Sequence, residues 1–269
     1  FVVFWETSDG AKSKLAGQRY ASDGSAVGGE FAFDVRQTLS DHYPSLALRN
    51  DGALIVVWRG NGSSTVEQQV IENFDRDTAA RATTTTTVAD GTNTAFRYIE
   101  NASLNDGGHI VVWEGTGIES PDGDNGGIYG QRIDDAGDPV GSAFLVNTTT
   151  MDSQRLPSVA GLADGGYVVT WDSWTPDTTA YDVKLQRYAA DGSRLGSETQ
   201  VNQTTTGSQS HPTVADLSGG GFVVTWWDSR IEFADVYARL YADDGTAVTD
   251  EFIVNVEAAG YQATGSNFV

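Results

Sequence analysis

Apolar residues in this chain come in short blocks that end on tryptophan and are fenced by glycine or aspartate. "YVVTW" (167–171) follows "LADGG", "IVVW" (110–113) follows "LNDGGH", "FVVTW" (222–226) follows "LSGGG", and "LIVVW" (54–58) follows "NDGA". The chain opens on the same block, "FVVFW" (1–5). Runs this short, β-branched and apolar at both parities predict strands buried on both faces. No stretch carries a 3.6-residue apolar period, so almost no helix is expected.

The blocks recur with a long period, as solenoids and propellers do. Their tryptophans, Trp5, Trp58, Trp113, Trp171 and Trp226, are separated by 53, 55, 58 and 55 residues. Pro44, Pro157 and Pro212 stand fourteen residues before Trp58, Trp171 and Trp226, opening "PSLA", "PSVA" and "PTVA". Downstream come "GQRYASDG", "GQRIDDAG", "LQRYAADG" and "ARLYADDG", with only "IENFDRD" (71–77) in the second repeat, and then extended stretches such as "EFAFDV" and "AFLVNTTT". Four strands per repeat follow, with the D-G-G hairpin supplying positive φ between the first two.

One such sheet cannot cover its own faces, but five stacked about an axis can. The expected fold is therefore all-β: a five-bladed β-propeller of four-stranded antiparallel blades. It is read as a single β-propeller domain over 1–269, with repeats at approximately 1–43, 44–98, 99–156, 157–211 and 212–260. The five tryptophans are read as inter-blade packing, each worth roughly 1.5 to 3 kcal/mol when buried. Gln262 falls where Gln154 and Gln209 stand, so 261–269 aligns with a first strand. The ring is expected to close by this C-terminal strand pairing with the N-terminal strand, leaving no bare edge.

With 39% hydrophobic and 10% aromatic residues among 269, the chain is globular rather than disordered. It has no cysteine, which removes disulfides, thiolate metal sites and cysteine nucleophiles. Lys plus Arg number 16 against 37 Asp plus Glu, a formal charge of −21, so nucleic acid and anionic membranes are excluded as partners. No apolar run is long enough for a membrane helix. The acid is read either as a solvated surface or as partly organised for cations.

In this strand order the loops after each tryptophan share one face with those leading into the first strands. Glu6, Glu114, Asp172 and, one residue later, Asp228 follow the tryptophans, while Arg59 replaces them in the second repeat. They suit either cation or sugar binding, or merely mark strand exits into water. Gln154, Gln209 and Gln262 recur at one rim, as loop caps or sugar contacts. Trp174 and Trp227 lie in the same loops, with Phe233 and Tyr261, and aromatic faces beside carboxylates and amides suit carbohydrate. In the acidic loop 113–132, Glu119, Asp122, Asp124 and Asn125 offer several oxygens to one hard cation such as calcium, although the loop lacks an EF-hand's final glutamate. The histidines, His42, His109 and His211, share no common register. An enzyme on this scaffold needs paired carboxylates. The innermost strands offer only Glu100 and Asp216, and no hydrolase motif appears.

The pattern in "LPSVAGLADGGYVVTW" with "GGIYGQRIDDAGDPVGSAFLVNTTT" resembles a β-propeller-type repeat of large secreted bacterial proteins that often also carry hemolysin-type calcium-binding repeats. The resemblance covers essentially the whole chain but is weak in the second repeat. It implies secretion or a cell-surface place and an adhesin-like role, and it supplies no catalytic residue. The expectation is thus a non-enzymatic, lectin-like binding or structural module for carbohydrate, calcium or both. The alternative is a polysaccharide-active enzyme, a glycoside hydrolase or lyase. Removal of residues 261–269 is expected to lower the melting temperature of the whole ring; a truncated chain with an unchanged melt would refute the closure.

Overall fold

The computed structural model describes residues 1–8, 13–33, 44–60, 65–72, 81–82, 85–90, 95–116, 126–176, 178–230 and 235–255. They form a five-bladed β-propeller with no helix among them. The first blade is β1 (Val2–Ser8), β2 (Ser13–Tyr20) and β3 (Ala26–Phe33), paired in that order. In the second, β4 (Ser45–Leu48), β5 (Leu54–Arg59) and β6 (Thr65–Glu72) are followed by two short strands, β7 (Arg81–Ala82) and β8 (Thr86–Asp90), both paired to β6. The third blade comprises β9 (Ala95–Ser103), β10 (His109–Thr116), β11 (Gly127–Ile133) and β12 (Pro139–Leu145). The fourth comprises β13 (Gln154–Gly161), β14 (Tyr167–Thr175), β15 (Ala180–Tyr188) and β16 (Arg194–Gln200). The fifth comprises β17 (Gln209–Asp216), β18 (Phe222–Asp228), β19 (Asp235–Tyr241) and β20 (Phe252–Ile253). Every pairing is antiparallel, as the repeat pattern predicts. The segment 261–269, with its expected closing pairing, lies outside the described residues.

The D-G-G hairpin shows why both glycines are needed. Gly165 sits at φ 86°, in the left-handed region. A Cβ on Gly166 would collide with the carbonyl oxygen of Tyr188 on the third strand, so the hairpin must lie flat against its neighbour. A type of buttress recurs on the other side: the Q-R-Y glutamine Gln186 donates to the carbonyls of Arg187 and Leu195, at 2.9 and 3.2 Å, holding the irregular edge between β15 and β16.

Each buried tryptophan packs back onto the preceding blade. Trp226 lies among Ala160, Val168 and Val183 of the fourth blade, Trp171 among Leu104, Ile110 and Val112 of the third, and Trp113 among Ile55, Val57 and Val66 of the second. Trp58 meets Val2, Phe4 and Phe31 of the first blade. These four are 0 to 2% exposed, whereas Trp5 is 36% exposed. Among the described residues the core is thus four seams between sheets rather than one central mass. The middle of the ring is lined by small polar groups of the first strands: Ser45 Oγ accepts from the Asn101 N–H at 2.9 Å, and Ser158 Oγ from the Val214 N–H at 3.2 Å.

Truncating Trp226 to alanine should cost about 3 to 5 kcal/mol, the range for deleting a large buried aromatic. Urea unfolding would show it as a lower midpoint, and a loss well under 1 kcal/mol would contradict the seam.

Candidate functional site

Where the first strand of a blade approaches the tryptophan of the second, the ladder breaks in the same way three times. Arg155 pairs with Asp172 and Ser158 with Thr170, so Leu156 and Pro157 together oppose Trp171. Likewise His211 and Pro212 oppose Trp226, and Tyr98 and Ile99 oppose Trp113. These are β-bulges, and proline fits one because the ladder asks no N–H of it there. The first bulge residue takes a left-handed conformation each time: Tyr98 at φ 47°, Leu156 at 54° and His211 at 56°. Such backbone costs of order 1 to 3 kcal/mol per non-glycine residue and persists only where its surroundings enforce it.

The enforcing groups are the acids that follow the tryptophans. Glu114 accepts the N–H of Leu156 in the next blade. Asp172 Oδ1 accepts the N–H of His211 in the blade after that, at 2.9 Å. In the second blade the equivalent residue, Arg59, reverses the polarity and donates to the carbonyl of Phe96 at 3.3 Å. Two of the predicted carboxylates therefore sit at the joints between blades, with side chains directed to a common cluster.

Both are desolvated. Asp172 is fully buried and Glu114 is 6% exposed. Burial pushes the Asp172 carboxyl up to about 8, opposed by Arg155 and by the His211 N–H and reinforced by the negative charge of Glu114. Burial also raises Glu114, against the Leu156 N–H and the charges of Arg97 and Arg155. Arg155 Nε lies 3.3 Å from Asp172 Oδ2, which on its own would favour the ionised acid. The contact is a single long one to a guanidinium one-third exposed to water, so desolvation of the acid outweighs it. The guanidinium also lies 3.7 Å from the centre of the Tyr181 ring, which meets Trp174 edge-on at 5.0 Å. On the other side His211 stacks on Trp227 at 4.0 Å, and burial followed by the charge of Arg155 lowers its pKa. A continuous row results: Trp174, Tyr181, Arg155, Asp172, His211, Trp227.

Other expected residues fall elsewhere. Trp227, not Asp228, takes the place of Glu114 and Asp172, since Ser210 pairs with Trp227 as Arg155 does with Asp172. Asp228 is fully buried on the Trp226 side, accepting from the Trp226 ring N–H at 3.4 Å and bound by Arg230, whose Nη1 reaches Glu251 at 2.9 Å. Gln154 and Gln209 are buried caps: each donates three residues back, to Met151 and Thr206, and accepts from Asn147 or Asn202. His109 is buried at the opposite end of its strand, 2.6 Å from Gln68. Gln262, Tyr261, Phe233, His42 and the calcium quartet Glu119, Asp122, Asp124 and Asn125 lie outside the described residues, as does the Glu6 side chain. Among the described residues no three His, Asp or Glu are grouped to hold a metal.

The residues that sequence reasoning missed are Arg97, Arg155 and Tyr181. Arg97 and Arg155 stand 58 residues apart, the spacing of Trp113 and Trp171, so in-phase comparison of the repeats could have found them.

No protein-family model matches the sequence, and no curated protein matches it. Solved structures do match in fold. An α-L-arabinofuranosidase from Fusarium graminearum in complex with an iminosugar inhibitor aligns over 90% of this chain and 71% of its own, at TM-score 0.57 and 12% identity. An α-L-arabinofuranosidase from Lactobacillus brevis aligns over 98% and 92%, at TM-score 0.50 and 14% identity. A protein of unknown function from Dyadobacter fermentans aligns over 91% and 65%, at TM-score 0.54 and 9% identity. The propeller expectation stands on these. The expectation of a non-enzymatic binding module does not: two of these folds are those of named glycosidases, and the chain carries a pair of desolvated carboxyls on the second strands of its third and fourth blades.

The fold holds the Asp172 proton to about pH 8, while an unfolded chain releases it near 3.8. The stability tied to that proton is complete below pH 4 and is lost as pH rises towards 8. Melting temperature should therefore fall across that window, and Asp172→Asn should flatten the slope. An undiminished slope in the variant would show that another group titrates.

Proposed function

We propose that the chain is a glycan-cleaving hydrolase whose reacting carboxyls are Glu114 and Asp172. The observation that carries this reading is two buried carboxyls at adjoining blade joints, each accepting the N–H of a left-handed residue and each raised by burial, on a five-bladed propeller. Two interacting carboxyls cannot both ionise easily, and the environment separates their roles. Asp172, fully buried and raised further by the charge of Glu114, keeps the proton and is the general acid that protonates the leaving glycosidic oxygen. Glu114, which burial raises against the Leu156 N–H and the charges of Arg97 and Arg155, takes the ionised role, acting as base or nucleophile. Its Oε2 is buried with no hydrogen-bond partner, an unsatisfied acceptor of the kind that active sites retain. The Tyr181 and Trp227 rings flank the pair and offer faces to a sugar.

The named activities of the fold neighbours make arabinofuranosides the first substrates to try. An extracellular setting is supported by the acidic balance and by the resemblance of the repeats to those of large secreted bacterial proteins. A calcium ion on Glu119, Asp122, Asp124 and Asn125 is supported by the run of oxygen donors in that loop.

Reducing-sugar release from arabinan, arabinoxylan and polygalacturonan tests the assignment. Glu114→Gln and Asp172→Asn should each lower the rate by about a hundredfold or more. Release from none of the three, or activity surviving both substitutions, would end it.

A further inference from the structure

The loop face carries cations out of keeping with a chain of net charge −21. On the opposite face Arg49, Arg132 and Arg187 are matched to aspartates of turns between strands, Asp51, Asp106 and Asp164. On the loop face Arg230 is bound by Asp228 and Glu251 and Arg155 lies 3.3 Å from Asp172, but Arg97 makes no ion pair among the described residues. Arg59 ends β5 and reaches the carbonyl of Phe96, the residue beside Arg97. Arg97 is exposed and pairs across the ladder with Glu114. Arg155, one-third exposed, pairs with Asp172. Three successive blades thus place a guanidinium at one level of the same face. Both Arg97 and Arg155 are close enough to act on Glu114, so these two belong to one cluster.

In the hydrolase reading Asp172 holds its proton and Glu114 is the one ionised acid between Arg97 and Arg155, so two guanidiniums face a single carboxylate and positive charge is left over at the surface. Aromatic faces stand on either side, Tyr181 beneath Arg155 and Trp227 beneath His211. A planar carboxylate seated on a ring-shaped, hydroxyl-bearing body matches this combination: guanidinium forks bind carboxylates in bidentate fashion, and aromatic faces take the apolar side of a sugar.

We propose that Arg97 and Arg155 form a subsite for the carboxylate of a uronic acid residue, so that the glycan bound at this mouth is anionic. The assignment rests on the hydrolase reading only for the purpose of binding; the contacts themselves need no turnover. Arg97 supplies the outer contact and Arg155 the inner one, next to Asp172. Arg155 therefore ties recognition of the acid sugar to the acid that donates the proton, whereas Arg97, opposite Glu114 on the ladder, stands clear of Asp172's ion pair.

Titration calorimetry of the full chain with tetragalacturonate, with neutral arabinotetraose and with sulfate separates the possibilities. Tetragalacturonate should bind at least about tenfold more tightly than arabinotetraose, the scale of one charge-assisted hydrogen bond. Arg97→Gln, at an exposed position, should lose about tenfold for tetragalacturonate and leave arabinotetraose unchanged, with Arg97→Lys restoring part of the loss. Equal affinity for the two oligosaccharides, no binding of tetragalacturonate, indifference to Arg97→Gln, or displacement of tetragalacturonate by sulfate at matched concentration would each overturn the proposal. Release of neutral sugar without uronate binding would sink this subsite and spare the hydrolase; uronate binding without release from any glycan would do the reverse.

Discussion

The whole structure depends on a single contact repeated four times: a tryptophan at the end of a blade's second strand, buried against the sheet before it. A four-stranded sheet with apolar residues on both faces cannot shield either by itself. Trp58, Trp113, Trp171 and Trp226 shield them in pairs, each joining its blade to its predecessor. Once that contact is fixed, the second strand cannot shift in register, because a slip of one residue would turn the indole out of its seam. The ladder beside it must then absorb any mismatch, and it does so through the bulges at Tyr98, Leu156 and His211.

From those bulges the site follows. At Leu156 and His211 the left-handed residue leaves an N–H pointing away from its own ladder, and the acid after the neighbouring tryptophan accepts it. An acid placed there is necessarily buried, since the joint between blades encloses it. Burial raises its pKa, and proximity of one joint to the next couples Asp172 to Glu114. The chemistry is thus a by-product of packing geometry: the seam dictates the bulge, the bulge dictates the cap, and the cap is a carboxyl in a place where water is scarce.

Much of the fold was legible in the sequence because its determinants are local. "DGG" specifies a hairpin wherever it occurs, and "VVTW" reads as a strand without knowledge of its neighbours. Strand order, blade number and the packing role of four of the five tryptophans came from such phrases; Trp5, expected in a seam like the others, is one-third exposed. The second blade was read poorly, because its outer edge is divided between β7 and β8 and follows no shared phrase. The site was legible only in part. Glu114 and Asp172 stood out by position; Asp228 was read as one residue out of step with them, and one residue in a strand reverses the face. Arg97, Arg155 and Tyr181 escaped because their importance lies across strands and between blades, in contacts that no single repeat contains. Gln154 and Gln209 were open to two readings, loop cap or sugar contact, and the asparagines seven residues before them engage their amides as caps.

The capping acid of one blade serves the bulge of the next, and this has a consequence for how such chains can change. Neither half of the site exists within a single repeat; Asp172 and His211 meet only because two copies adjoin. Duplicating or exchanging a repeat would therefore recombine halves, producing a new joint from an old acid and an unfamiliar bulge residue. Arg59, which caps with the opposite polarity, and Trp227, which does not cap through a carboxyl at all, are what such a lineage of joints looks like when each has drifted separately. Five nearly equal repeats thus hold joints of differing chemistry, and asymmetry at the mouth can accumulate while the seams that hold the ring stay alike.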